Sequence, residues 1–208
     1  MKTRFFLLLP PLLLFFVACS TKTTTYINGF SLLGKSKQEV SNKTLQQIAD
    51  NIHTETNATL LYTKDAYRDS DGSLTLFLTN RYLKIMLDPD TTFSPGDTIP
   101  GNHLKKELDA IIPVLQKYPA VIIQIIGHAY DEGSKAQMRH YADLRAIAIA
   151  EYLYEKGLKQ DILAKGCGND VPRKICPSDK PHLLCSMRNR RIEIFIYSAK
   201  ADVITRCR

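Results

Sequence analysis

The chain has 208 residues, 28 Lys and Arg against 21 Asp and Glu for a formal net charge of +7, 44% hydrophobic residues, five Cys and no Trp. That length suits one domain or one domain with a small extension. The composition excludes a wholly disordered, collagen-like or disulfide-dense chain, and a basic balance points to an anionic partner without choosing one.

Residues 1–18 carry a targeting signal. Lys2 and Arg4 precede an apolar run over residues 5–17, broken by Pro10 and Pro11. As a helix, these residues would reach only about 20 Å at about 1.5 Å per residue, against roughly 30 Å of hydrocarbon. The run therefore reads as a secretory signal rather than a membrane span. Its end, Phe16-Val17-Ala18-Cys19, resembles a bacterial lipobox, which implies lipidation of Cys19 and anchoring to the outer membrane, because Ser20 follows. Stable anchoring needs more than one acyl chain, which a triacylated N-terminus supplies. Loss of Lys2 and Arg4 lowers the net charge to +5. Cys167, Cys176, Cys185 and Cys207 then lie in an oxidising compartment where disulfides persist.

Residues 20–25 read as a polar tether. Residues 41–52 predict a helix, with Leu45, Ile48, Ala49 and Ile52 on one face and Ser41 or Asn42 as cap. Residues 74–78 and 82–87 flank Thr79-Asn80-Arg81 and predict a hairpin. Residues 88–100, with Pro89, Pro95, Gly96 and Pro100, form a loop. Asn102 can cap a helix that buries Leu104, Leu108, Ile111, Ile112 and Leu115, kinked at Pro113. The β-branched residues 121–126 predict a central strand buried on both faces.

A loop over residues 127–133 leads to a helix over 134–156, which Gly157 ends. Residues 162–165 are a short strand, so 120–166 read as a strand–helix–strand crossover. Residues 191–197 alternate with period two, with Ile192, Ile194 and Ile196 on one face. Around the helix 134–156, Met138, Tyr141, Ala142, Ala148, Ile149, Tyr152 and Leu153 share one arc, and Arg145 falls inside it. A buried guanidinium needs a partner, so Arg145 either meets an internal carboxylate, snorkels to the edge, or lines a concavity that receives an anion.

Four segments follow in order: Gly127-His128-Ala129-Tyr130-Asp131-Glu132-Gly133, Leu144-Arg145-Ala146, Gly166-Cys167-Gly168 and Asn189-Arg190-Arg191-Ile192-Glu193-Ile194. Their order and spacing resemble the OmpA-like domain family, whose pattern is roughly GHTDxxG, LSxxRA, GxG and NRRVEI, over residues 81–198. With the lipobox, the chain is similar to the peptidoglycan-associated lipoproteins. The resemblance implies an α+β fold: an OmpA-like βαβαββ two-layer sandwich with an N-terminal lipoprotein signal and a small N-terminal extension. It divides the chain into a signal (1–18), an anchored tether and extension (19–72), the OmpA-like domain (73–200) and a tail (201–208).

In that family an Asp of the first motif and the Arg of the second grip the zwitterionic end of peptidoglycan diaminopimelate, one fixed anion and one fork-shaped cation for an amino acid. The resemblance therefore implies a binding set of Arg145, Asp131, Tyr130 and His128. Tyr130 stands at the position of the family Asp and Ala129 at that of its Thr, while Asp131 follows by one residue. The size and N-terminal extension, with these changes, also resemble short OmpA-like lipoproteins that serve as subunits of envelope machines such as the type IVB secretion system.

Four Cys allow three pairings; Cys176–Cys185 would staple the insertion between them, leaving Cys167–Cys207. No nucleophile elbow, HExxH, phosphate loop or CxxC spacing occurs, so neither an enzyme nor a cofactor or metal is expected, and His128 would brace its own loop by hydrogen bonding. The export signal and scattered basic residues argue against nucleic acid. The expected partners are the outer membrane through the lipid, other envelope-complex proteins, and peptidoglycan.

Overall fold

The computed structural model describes residues 31–32, 42–62, 74–87, 93–94, 96–130, 133–173, 189–198, 203 and 207. The signal, Cys19, the polar tether, Asp131, Cys176 and Cys185 lie outside them. The described elements are β1 (Ser31–Leu32), α1 (Asn42–Thr56), β2 (Thr59–Tyr62), β3 (Thr75–Leu78), β4 (Tyr82–Met86), α2 (Asn102–Gln116), β5 (Ile122–Gly127), α3 (Lys135–Glu155), β6 (Asp161–Gly166) and β7 (Ile192–Tyr197). They form one mixed sheet in the order β1-β6-β5-β7-β4-β3-β2.

The strand with the strongest β-branched run lies in the interior of the sheet, third of seven. β5 pairs parallel with β6 and antiparallel with β7, and all six of its residues are buried. The alternation of β7 sorts its side chains as the period predicts. Ile192, Ile194 and Ile196 enter the helix-side core, while Phe195 and Tyr197 belong to a second apolar cluster on the other face. The expected hairpin is β3–β4, antiparallel, with Leu78 opposite Leu83. Both the β5–β6 crossover and the hairpin therefore match the sequence pattern.

The N-terminal segment is part of the same body. Leu45, Ile48, Ala49, Ile52 and Ala58 are buried in the helix-side core with Leu76, Leu83 and Leu108. The Asn51 amide also donates to the Tyr118 hydroxyl at 2.9 Å. β2 lies parallel to β3 at one edge of the sheet, and β1 lies antiparallel to β6 at the other. The core thus does not divide at residue 73, because residues before it supply both edge strands and a helix.

One local expectation changes. The N-cap of α2 is Gly101, extended at φ −66° and ψ 165°, with no side-chain cap; Asn102 is already helical. Pro113 lies inside α2 as the sequence implies, on its exposed side. α3 starts on a full capping box: Ser134 Oγ accepts from the Gln137 N–H at 3.3 Å, and Gln137 Oε1 accepts from the Ser134 N–H at 2.8 Å. Gly157, at φ 94°, ends the turn in the left-handed region.

The buried side of α3 comprises Met138, Ala142, Arg145, Ala146, Ile149, Ala150 and Leu153. Tyr141, Ala148 and Tyr152 fall at its margins, only partly buried. The alanines bring the helix backbone close to the strands. A Cβ at Gly127 would overlap the Ala142 carbonyl, and one at Gly166 would overlap the backbone of Asp143. Both motif glycines are thus the surface on which α3 rests, and the Gly166 N–H donates to Asp143 Oδ1 at 2.6 Å.

Candidate functional site

Arg145 has no solvent exposure, and its volume is among the largest of the fully buried side chains. Nε donates to the Asp97 carbonyl at 2.8 Å and Nη2 to the Ser94 carbonyl at 3.3 Å. The guanidinium carbon lies 5.2 Å from the Phe93 ring centroid and 5.8 Å from that of Tyr141. Cation–π contacts of this kind strengthen on desolvation. The side chain therefore ties α3 to the loop before α2, through acceptors 48 and 51 residues away in sequence. Among the described residues its contacts are backbone carbonyls and aromatic faces, and the guanidinium is fully buried rather than snorkelling.

The loop after β5 is fixed by its backbone. The His128 N–H donates to the Arg191 carbonyl at 2.9 Å, Ala129 to Gly168 at 3.0 Å, and Cys167 to Gly127 at 2.8 Å. These bonds join three of the four sequence motifs into one ladder at the ends of β5, β6 and β7. Ala129 is fully buried, where the family Thr would stand, and Tyr130 is half-buried. Asp131 lies outside the described residues. Among the set inferred from the resemblance, the structure brings His128 and Tyr130 to one loop, while Arg145 is buried against Phe93, Ser94 and Asp97.

His128 does not act as the expected hydrogen-bonded brace. Neither ring nitrogen has a hydrogen-bond partner, and Nε2 lies 3.6 Å from Glu193 Oε2. It belongs instead to a buried ionic cluster on the outer face of the sheet. Glu193 Oε1 accepts from Arg191 Nε at 2.9 Å and lies 3.5 Å from Lys84 Nζ, which in turn sits 4.7 Å from the Phe77 ring centroid. Burial alone would raise the Glu193 pKa. The Arg191 and Lys84 charges, with His128, outweigh burial and hold it well below the carboxylate range. Burial, reinforced by Arg191, pushes His128 down against the attraction of Glu193, and burial lowers Lys84 as well.

These shifts set the sign of acid sensitivity. A His depressed in the folded state takes up its proton more readily when unfolded, so stability falls as pH drops below its ordinary value of 6.5. Glu193, also depressed, contributes stability above its ordinary 4.5 that is lost on further acidification. Urea midpoints should decline from pH 7 to pH 5, and His128→Gln should flatten that part of the curve. An unchanged slope in the variant would remove His128 from the account.

Lys84 and Glu193 had a legible signal, each being a lone charge inside an apolar strand. Phe93, Ser94 and Asp97 had none, because their role depends on a distant arginine. Cys167 is joined to Cys207, with Cα atoms 5.5 Å apart. Among the described residues no group of His, Cys, Asp and Glu could hold a metal ion, and no helix is long and apolar enough to cross a membrane.

With this geometry in place, the chain can be set beside known proteins of similar fold. Residues 92–181 match the model of the OmpA family. The structure is similar to that of a MotB-like protein from Desulfovibrio vulgaris, at TM-score 0.57 and 16% identity, over 75% of this chain and 95% of that one. It is also similar to the periplasmic domain of MotB, at TM-score 0.50 and 20% identity, over 67% of this chain and 76% of that one. No curated protein matches the chain significantly. The fold is OmpA-like.

Proposed function

We propose that the chain is a non-catalytic envelope lipoprotein whose OmpA-like domain acts as a docking unit in an envelope-spanning secretion machine, anchored to the outer membrane through Cys19. The observation that carries the docking reading is the commitment of Arg145. Its Nε and Nη2 already serve the Asp97 and Ser94 carbonyls, and Phe93 and Tyr141 flank its plane. A ligand carboxylate could reach the guanidinium only if the segment that covers it opened, because Arg145 has no solvent exposure. The lipid anchor rests on the lipobox-like residues 16–19. In size, N-terminal extension and altered binding loop the chain resembles DotK (IcmN), an outer-membrane lipoprotein of the Dot/Icm type IVB core complex.

A second reading, a wall-binding lipoprotein that tethers the outer membrane to peptidoglycan, draws support from the ordered family motifs and from the family match, which spans Arg145. Co-sedimentation with purified peptidoglycan separates the two. The docking reading expects little retention of the unaltered protein, and no change with Arg145→Lys in variants that keep the native fold. Strong retention that Arg145→Lys abolishes would establish the second reading.

A further inference from the structure

The outer face of the sheet carries Ile122, Ile126, Phe195 and Tyr197, all buried, with Val203 and Cys207 packed against them. The register shows what this requires of the chain. Tyr197 pairs with Ile122 at one end of β5, while Gly127 and its neighbour Gly166 mark the other end, next to Cys167. From the Ile122 end to the Gly127 end is about 17 Å at about 3.3 Å per residue. The ten residues from Tyr197 to Cys207 can span about 33 Å. The chain therefore leaves β7 at one end of the sheet while Cys207 is bonded at the opposite end, and Val203 packs on the outer-face cluster.

The bonded end is also the end that holds the loop. Cys167 donates its N–H to the Gly127 carbonyl, the next motif residue, Gly168, accepts from Ala129, and the Cys207 sulfur lies 3.8 Å from the Gly166 carbonyl oxygen. Cys167 is thus shared between the tail and the backbone ladder that positions residues 127–129. We propose that Cys207, with Val203 packed on the outer face of the sheet, acts as a covalent clasp, and that closing the Cys167–Cys207 bond fixes the 127–130 loop. Closure takes two protons and two electrons from the thiols and passes them to a disulfide-exchange oxidant; a dithiol reductant returns them. The loop acquires its fixed form only where that oxidant is present. The inference is independent of what the loop binds.

Amide hydrogen exchange on the mature full-length chain tests the clasp without any ligand. Cys207→Ser should speed exchange at His128, Ala129 and Cys167 at least tenfold relative to Ile123 and Ile194 in the central ladder. Val203→Asp, with the bond intact, should leave the loop amides protected while raising the fluorescence of a hydrophobic dye on the uncovered face. An increase in Cys207→Ser spread evenly over loop and core, or none at all, would overturn the proposal. So would loop exchange in Val203→Asp equal to that in Cys207→Ser.

Discussion

Arg145→Ala is expected to destabilise the domain by about 3–5 kcal/mol, within the range for truncating a large, fully buried side chain and leaving a cavity. The loss has three sources. The Asp97 and Ser94 carbonyls lose their donor, Phe93 and Tyr141 lose the cation between them, and the loop before α2 loses its tie to α3. Against a typical domain stability of about 5–15 kcal/mol, this threatens folding itself. Arg145→Lys should cost less, about 1–2 kcal/mol, because the charge and most of the volume stay while the fork that reaches two carbonyls is lost. Urea denaturation resolves the difference. Equal, small effects of both substitutions would mean that the guanidinium contributes little to stability.

Gly127→Ala and Gly166→Ala should each cost about 3 kcal/mol or more, at the top of the overpacking range. The added methyl meets helix backbone in both cases, and backbone cannot rotate aside as a side chain can. Both glycines rest against the same stretch of α3, at Ala142 and Asp143, so one displacement of the helix would relieve both overlaps. The double variant should therefore lose less than the sum of the two. Gly96→Ala provides the contrast. Nothing lies within 4 Å of its Cβ position, so only its positive φ of 70° is penalised, at about 1 kcal/mol. Three equal losses would contradict the close-packing explanation.

The parts of this fold that the sequence made legible are those written in local periodicity. The apolar spacing of α2, the β-branched run of β5 and the alternation of β7 each encode a burial pattern within a single element. β1 and β2 were not legible, because strands of two and four residues carry too short a pattern and gain their order from distant partners. That is also why the N-terminal residues read as an extension, whereas β1 and β2 form the two edges of the sheet and α1 packs into its core. The α2 cap was misplaced by one residue because Gly101, without a side chain to donate or accept, leaves no capping signal.

At the candidate site, sequence position and chemical role came apart. The angular arc of α3 correctly put Arg145 among apolar neighbours, and a buried guanidinium correctly demanded partners. Their identity was hidden, since the carbonyls of Ser94 and Asp97 belong to every residue type and leave no trace in the sequence. His128 illustrates the converse. Its place in a loop suggested a brace, but its surroundings make it one of three basic groups around a single carboxylate.

The inward commitment of Arg145 is the central claim, and its own N–H groups report on it. In nitrogen-15 spectra of the mature chain, the Arg145 Nε–H should exchange slowly with solvent and keep its shift when a diaminopimelate-containing muropeptide is added. A rapidly exchanging Nε–H, or one that moves with the muropeptide in a saturable way, would contradict the account and return Arg145 to the role of a ligand grip.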